Sequence, residues 1–365
     1  MNILRDWYNR YASDPQVVIL ALLLIAGFVA MLTLGEMLVP VLVGVILAYL
    51  LDGIVEQCRR LGAPRLSAVI LVFILFLTFL VFALLWLMPR LWGQLTQLVV
   101  QLPAMIGQGH ELLLQLPEKY PNLFSESQVN DLITAIRGEI TSMGQRVLSL
   151  SIASVVSLIT LMVYIILVPV LAFFFLKDKQ PILDWFSQRL PRERPLAEQV
   201  WRDVNLQVSN YVRGKVWEIF IVGVVSFATF SLMGLGYALL LATAVGLSVI
   251  IPYIGAAVVT LPVAIIAWFQ WGWSSDFGWL LFAYGVIQAL DGYLLVPLLF
   301  SEVVDLHPVA IIIAILVFGG LWGFWGVFFA IPLATLVEAV IKAWPMKHRQ
   351  EQADTPEAAQ QSGGD

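Results

Sequence analysis

The sequence QALDGYLLVPLLF at residues 288–300 places an amide, Gln288, and a carboxylate, Asp291, inside an apolar run that begins at Trp279. A carboxylate that faces lipid costs about 2.5–3.5 kcal/mol on insertion scales, so we expect Asp291 to face the protein interior or a wet cavity. Pro297 lacks a backbone N–H and is expected to interrupt regular helical hydrogen bonding near the end of this run. The stretch predicts a broken membrane segment that contains an acid.

The next stretch, PVAIIIAILVFGGLWGFWGVFFAIP at residues 308–332, is too rich in glycine for one regular membrane helix. After His307, the apolar run at 309–318 is much shorter than the roughly twenty residues that a bilayer requires. The glycines that follow are expected to turn the chain, and residues 327–340, broken by Pro332, run back. Irregular backbone at membrane depth is tolerated only where protein covers it or water wets it. We therefore predict a short helical hairpin that either re-enters the membrane or crosses it completely.

Composition assigns the chain to the polytopic membrane proteins. Of its 365 residues, 60% are hydrophobic and only 12% are charged, and the mean hydropathy is +0.88. A soluble protein carries about 25% charged residues. We predict an all-α polytopic fold with about eight to ten membrane segments. These include two short helical hairpins in an inverted repeat, which either re-enter the membrane or cross it completely, and a small extracytoplasmic helical region completes the fold.

Alternating apolar and polar stretches divide the chain into six regions. We predict N-terminal membrane helices at 1–88, an extracytoplasmic helical region at 89–149, a membrane helix at 150–176, a cytoplasmic amphipathic region at 177–213, a C-terminal transport core with two hairpins at 214–345 and a disordered tail at 346–365. Residues 17–51 predict either a helical hairpin or one long broken helix. Basic residues concentrate between Lys177 and Lys215, which places this region and both termini in the cytoplasm.

A weak internal repeat relates the two predicted hairpins. Laying Leu235 on Leu306 without gaps brings Gly255 onto Gly326, while the prolines that follow miss each other by one position. The charge bias predicts that the full spans that precede the two hairpins cross the membrane in opposite directions. The repeat is therefore predicted to be inverted. Such repeats recur in secondary transporters, where broken segments bind substrate near the midplane. The alternative is that the glycines merely permit close helix packing.

Several short motifs carry a resemblance to a known family. They are Leu176-Lys177-Asp178, Tyr211-x-x-Gly214, Ile251-Pro252-x-Ile254-Gly255, Gln288-x-x-Asp291 with Pro297, Leu306-His307-Pro308, and Gly320-x-x-Gly323-x-x-Gly326 with Ala330-x-Pro332. Together they resemble the autoinducer-2 exporter family, above all its PerM-type permeases. The resemblance implies a bacterial inner-membrane transporter of a small solute that works as a homo-oligomer. Family members are linked to export of a signalling furanone or to sodium or lithium exchange for protons, and many carry Glu where this chain has Asp291.

A secondary transporter is the first functional hypothesis. Asp291 is then the candidate for proton or cation coupling, with Gln288 beside it and Arg213 as a candidate partner. Alternatively, Asp291 holds a neighbouring helix by hydrogen bonds, and Arg213 is a basic anchor at the cytoplasmic interface. The backbone of the hairpins and of the expected pathway comes from Pro252, Gly255, Pro297, His307, Pro308, Gly320, Gly323, Gly326 and Pro332.

A membrane scaffold that transports nothing is the second hypothesis, in which the extracytoplasmic helices bind a partner. An enzyme is not predicted, because the sequence has no HExxH, no GxSxG and no nucleotide-binding Gly-Lys-Ser or Gly-Lys-Thr motif. We expect neither a cofactor nor a metal site. The expected partners are the lipid bilayer, a small-molecule or ion substrate and further copies of the chain, but no nucleic acid.

Overall fold

The computed structural model describes residues 15–119, 155–189, 195–252, 254–300 and 307–340, together with positions 134 and 138. Within these ranges the regular backbone is helical and contains no strand. Large apolar side chains such as Leu75, Phe79 and Ile166 are more than half exposed, which is typical of surfaces that face lipid. The predicted all-α membrane fold is confirmed.

Long helices make up the first half of the described chain. Helix α1 spans Pro15–Arg60, α2 spans Arg65–Phe82 and α3 spans Met88–Lys119, and a π-helical turn, π1, joins α2 to α3 at Ala83–Leu87. Helix α4 spans Val155–Lys177, and α5 spans Lys179–Ser187.

Shorter and interrupted helices follow. Helix α6 spans Pro195–Leu232, α7 Ala238–Ser248, α8 Ile254–Trp271 and α9 Ser275–Leu290. A second π-helical turn, π2, covers Asp291–Leu295, and then come α10 at Val296–Phe300, α11 at Pro308–Phe328 and α12 at Ala330–Val340.

Six of the described helical stretches are long and apolar enough to cross a membrane. The number rises to seven if Leu161–Lys177 and Lys179–Ser187, which meet at 76°, count as one span. This is fewer than the eight to ten segments predicted, because α7 and α12 are apolar but short. The 11 residues of α7 rise only about 16 Å, against a hydrocarbon core of about 30 Å. Helix α11 qualifies only if the parts on either side of its break at Gly323 are added together.

The chain divides into two compact units. The first comprises residues 1–72, 168–218 and 291–365, and the second comprises 73–167 and 219–290. The core of the first unit joins α6, α10, α11 and α12, through Tyr211, Val212, Phe300, Ile311, Ala314, Ile315, Ala330 and Ile331. Side chains of α1, among them Ile46 and Leu50, pack against this core. The second hairpin therefore belongs to the buried centre of the first unit.

In the second unit, the C-terminal part of α6 packs on α7 at two glycines. A Cβ atom on Gly246 would come within 2.8 Å of the Ile219 carbonyl oxygen and 3.1 Å of the Gly223 Cα. The two backbones are thus closer than a larger residue allows, as in membrane helices that meet through small residues. Phe230, Val245, Val263, Ala267, Leu280 and Tyr284 fill the surrounding core.

Both predicted hairpins are present. Helices α7 and α8 are joined by a turn that contains Pro252, and a Cβ atom on Gly255 would overlap the Ser248 carbonyl oxygen. Helix α11 breaks at Gly323 (φ 58°, ψ −132°), and a Cβ atom on Gly326 would overlap the Phe318 carbonyl oxygen. In a straight helix, residues seven or eight apart are separated by about 10–12 Å along the axis. The chain has therefore reversed direction in each hairpin.

The close backbone contacts within the two hairpins involve positions that the repeat aligns with each other. The alignment that lays Gly255 on Gly326 also lays Ser248 on Gly319, and a Cβ atom on Gly326 would lie 3.0 Å from the Gly319 nitrogen. In each hairpin, the glycine of the aligned pair thus lies against the backbone of an aligned residue, which is Ser248 in the first hairpin and Gly319 in the second. This agreement supports the internal repeat, while the opposite direction of its two copies stays a prediction.

Long helices run across two places where the sequence predicts a change. Of the two alternatives for residues 17–51, the structure has one long helix, α1, with Pro40 inside it. Proline is tolerated in membrane helices when neighbouring groups satisfy the freed carbonyl. The amphipathic region at 177–213 and the transport core at 214–345 share one helix, α6. Residues 120–133, most of 134–154 and the tail at 346–365 lie outside the described residues.

Replacing Gly255 or Gly326 with alanine is expected to destabilise the protein, because neither crossing has space for a methyl group. Overpacking costs about 1–3 kcal/mol, and more where only backbone can move. Thermal unfolding of the protein in detergent should show a lower midpoint for both variants. Gly285→Ala on α9 is the control, since no atom lies within 4 Å of its added Cβ. Equal midpoints for all three variants would contradict the close crossings.

Candidate coupling site

Asp291 is the first residue of π2, where the helix that begins as α9 widens. Pro297 has no N–H, so the Tyr293 carbonyl, four residues earlier, loses its α-helical donor. π-helical turns occur mostly as single insertions inside α-helices, frequently at functional sites. The interruption expected from the sequence is present, and it begins at the acid.

An ion pair on α6 supplies charges that act on Asp291. Lys215 Nζ lies 2.6 Å from Glu218 Oε2, and the two side chains are only 5% and 3% exposed. Lys215 attracts the Asp291 carboxylate, and Glu218 and Asp291 repel each other. Asp291 is half-buried, and its Oδ1 atom is buried without a hydrogen-bond partner among the described residues. We name Lys215, Glu218 and Asp291 the charged cluster.

Two aromatic rings lie beside the Lys215 ammonium. Its Nζ is 5.2 Å from the centre of the Phe300 ring and 6.0 Å from the centre of the Tyr211 ring. The face of an aromatic ring attracts a cation by about 0.5–2 kcal/mol, with the larger values in water-poor surroundings. The rings therefore replace part of the hydration that Lys215 loses on burial.

The Tyr211-x-x-Gly214 motif packs α6 against the second hairpin. The Tyr211 hydroxyl donates to the Phe328 carbonyl oxygen at 3.2 Å, and its ring centre lies 5.8 Å from that of Phe300. A Cβ atom on Gly214 would come within 2.8 Å of the Phe300 ring, so glycine is required for this approach. Gly214 therefore serves close packing rather than a helix boundary. The motif positions the turn of α6 that carries the charged cluster's ion pair.

Arg213 contacts α1. Its Nε donates to the Tyr49 carbonyl oxygen at 3.3 Å, and its side chain lies against Gly53, where a Cβ atom would be 2.8 Å from Nε. Arg213 thus links α6 to α1. The cation that acts on Asp291 is instead Lys215.

Gln288 takes part in a polar contact within the second unit. Its Nε2 donates to the Tyr284 hydroxyl at 2.5 Å, and Thr260 Oγ1 on α8 lies 3.5 Å from the same hydroxyl. Tyr284 is buried, and its ring centre lies 5.9 Å from that of Phe230. Gln288 thus helps to hold α9 on α8 through Tyr284.

The remaining predicted residues shape the backbone of the hairpins. His307 is the N-cap of α11, where its Nδ1 accepts a hydrogen bond from the Val309 nitrogen at 3.2 Å and Pro308 follows in the first turn. The Pro252 carbonyl accepts from the Ile254 nitrogen at 2.7 Å, and the Pro332 carbonyl accepts from the buried Thr335 hydroxyl at 2.8 Å. Gly255, Gly320, Gly323 and Gly326 lie at or beside the two reversals, and Pro297 lies in α10.

Lys215 and Glu218 are functional candidates that the sequence pattern does not single out. Charge bias predicts that Lys215 is the last basic residue of a cytoplasmic loop, because basic residues usually mark the inner side of the membrane. The available signal was the spacing, since opposite charges three residues apart on a helix can pair. No group of three or more histidine, cysteine or acidic residues that could hold a metal ion occurs in the described part of the chain.

Removing one partner of the Lys215–Glu218 pair is expected to cost about 3–5 kcal/mol of stability, because it leaves an unpaired charge in buried surroundings. We expect Lys215→Met to lower the unfolding midpoint strongly. The double variant Lys215→Met/Glu218→Gln, which removes both charges, should recover part of the loss. A double-mutant cycle from thermal unfolding in detergent measures the coupling. Additive effects of the two single substitutions would show that the pair is not coupled.

Comparison with known proteins agrees with the membrane fold. Residues 18–346 match the family model described as AI-2E family transporter. The chain is 46% identical over 346 residues to the protein of Escherichia coli K12 named "Putative permease PerM", covering 94% of this chain and 98% of that protein. It is 27% identical over 305 residues to "Putative transport protein YueF" of Bacillus subtilis, covering 82% of each. The chain therefore belongs to the AI-2E family of membrane transporters.

Proposed function

We propose that the protein is a secondary transporter that moves a small solute across the bacterial inner membrane and couples this movement to a proton or a monovalent cation. The observation that supports this best is the charged cluster, in which a nearly fully buried ion pair acts on Asp291. Ionisable groups inside membrane segments are rare, and they mark ion pathways and proton relays.

The charge balance of the cluster favours an ion-binding role. When both acids are ionised, two carboxylates share one ammonium, and the cluster is one positive charge short. An uncompensated charge that is withdrawn from water is costly. Arg213 is hydrogen-bonded to the α1 backbone and is therefore engaged elsewhere. A proton on one acid, or a monovalent cation at the unpartnered Asp291 Oδ1, would restore neutrality.

The broken helices support transport rather than a static scaffold. Helix α7 ends and helix α11 breaks at the reversals, and π2 interrupts the helix that carries Asp291. In secondary transporters, such discontinuous helices form the site for substrate and coupling ion. A scaffold would give these interruptions no function. The "permease" and "transport protein" names of the relatives agree with this choice.

The remaining parts of the proposal concern direction, location and assembly. Export of a small signalling molecule is the first candidate activity, and sodium or lithium exchange for protons is the alternative, since a monovalent cation would also balance the charged cluster. The basic residues between Lys177 and Lys215 favour cytoplasmic termini. The protein would act in the lipid bilayer as a homo-oligomer.

Asp291→Asn is expected to abolish the pH dependence of transport, because an amide neither binds nor releases a proton in this range. Comparing metabolites of cells with and without the protein identifies the solute, and its flux is then measured in proteoliposomes between about pH 6 and 8. Asp276→Asn is the matched control, since Asp276 is exposed in the first turn of α9.

Two outcomes decide this test. Parent-like pH dependence in the Asp291→Asn variant would reject coupling through this acid. Proton efflux driven by a sodium gradient alone, without added solute, would instead establish the antiporter alternative, and choline in place of sodium provides the ion control.

A further inference from the structure

A polar cavity lies at one end of the first hairpin, within the second unit. Its volume is about 500 Å³, within the range of small-molecule sites. Tyr237 precedes α7 and Gln270 lies near the end of α8, so the antiparallel hairpin brings both to the same end. The cavity, which we name the vestibule, is lined by Gln94, Gln97, Gln101, Ala104, Met105, Gly236, Tyr237, Ile266, Phe269 and Gln270.

One wall of the vestibule comes from a helical stretch that is too long to lie upright within the hydrocarbon core. The helical stretch Arg65–Met105 has 41 residues and is about 60 Å long, twice the thickness of the hydrocarbon core. Its glutamines occupy the second half, at the helical spacing of residues 94, 97 and 101. This wall of the vestibule therefore belongs to the second half of the stretch, in α3.

Hydrogen bonds hold the polar groups of the vestibule in place. Gln101 Oε1 accepts from the Tyr237 hydroxyl at 2.6 Å, and Gln94 Oε1 accepts from the Leu240 nitrogen at 2.8 Å. Gln270 Oε1 accepts from the Gly236 nitrogen, and its Nε2 donates to the Gly234 carbonyl, each at 2.7 Å. These bonds fix three amides around one opening, and a fixed site loses little freedom when a ligand binds.

Tyr237 adopts a costly backbone conformation at the edge of the vestibule. Its φ of 59° lies in the left-handed region, and within the described residues it is the sole non-glycine residue with positive φ. Such a conformation costs on the order of 1–3 kcal/mol, and strained residues cluster at ligand sites. The hydrogen bond to Gln101 keeps the phenol hydroxyl on the vestibule side of α7.

The vestibule contains no charged side chain among its described lining residues. Arg90, one turn before Gln94 on α3, stacks over the Trp86 ring at 3.9 Å instead. A carboxamide offers a donor and an acceptor together, which suits hydroxyl and carbonyl groups. Met105, Ile266 and Phe269 supply apolar surface for a carbon skeleton.

We infer that the vestibule is a binding site for a small uncharged solute that carries several hydroxyl or carbonyl groups. An ionised solute would lose hydration there without gaining a counter-charge. That this ligand is the transported solute rests on the proposed function, but its binding to the vestibule does not.

Three five-carbon probes test the chemical class. They are ribitol, which is neutral, ribonate, an anion, and 1-amino-1-deoxyribitol, a cation. Saturation-transfer-difference NMR titrations use the full-length protein in nanodiscs at one pH, with empty nanodiscs as the blank. We expect ribitol to bind at least about tenfold more tightly than either charged analogue, because desolvation of an unpaired charge costs more than 1.4 kcal/mol.

Variants locate the site. Gln97→Ala and Tyr237→Phe should each weaken ribitol binding about two- to tenfold, the range for one hydrogen bond. Thr96→Ala is the matched control, since Thr96 is the neighbour of Gln97, is exposed and does not line the vestibule. Gel filtration and the unfolding midpoint confirm that each variant is folded. Similar affinity for all three probes, no saturable binding, or binding unchanged in both vestibule variants would overturn the inference.

Equilibrium binding separates this proposal from the coupling proposal. Ribitol binding to the parent protein is measured without a gradient, and it does not depend on which residue couples transport to an ion. A vestibule that fails to bind leaves the pH-dependence test unaffected, and a coupling test that fails leaves ribitol binding unaffected.

Discussion

The backbone of a membrane segment must satisfy its hydrogen bonds inside the protein, and this constraint explains where the chain is irregular. Each unsatisfied N–H or carbonyl group in hydrocarbon costs several kcal/mol. Reversals inside the bilayer are therefore viable only when the backbones around them are packed closely together. Gly255 and Gly326 make this packing possible, because each lies directly against a carbonyl of the preceding segment. The glycines thus allow the chain to reverse direction sharply in each hairpin.

Helix α6 connects the second hairpin to the charged cluster. Tyr211 hydrogen-bonds the second hairpin at the Phe328 carbonyl, and Gly214 lets the Phe300 ring approach the helix. The next turn carries Lys215 and Glu218, whose burial would be unfavourable without a partner. A buried ion pair adds little stability compared with apolar residues of the same size. Its presence in this position is the observation on which the proposed ion-binding role rests.

The sequence predicted those structural features whose physical cause lies in neighbouring residues of the chain. The reversals followed from glycine content and run length, and the interruption after Asp291 followed from the missing N–H of Pro297. The continuity of α6 could not be predicted in this way. Gly214 is needed for close packing against the ring of Phe300, and that residue is distant in the chain. The Lys215–Glu218 pair was missed for a related reason. Charge bias assigns a lysine to a loop, and only tertiary packing shows that this one is buried.

Asp291 and the vestibule also differ in how well sequence could reveal them. An acid in an apolar run is conspicuous because its transfer cost is large. Glutamines at helical spacing on α3 are typical of any amphipathic surface helix. Their function depends on Tyr237 and Gln270, which lie in other helices and reach the same cavity only in the folded chain.

The vestibule and the charged cluster are chemically complementary in a way that bears on energy supply. A membrane potential acts on charge, at about 2.3 kcal/mol per elementary charge per 100 mV, and therefore exerts no force on a neutral solute. Moving such a solute against its gradient requires a coupled ion. The described lining of the vestibule carries no charge, whereas the charged cluster lacks one positive charge when both of its acids are ionised. A site that selects a neutral solute thus needs a separate site that binds the ion, and communication between the two must arise from conformations that each ligand stabilises differently.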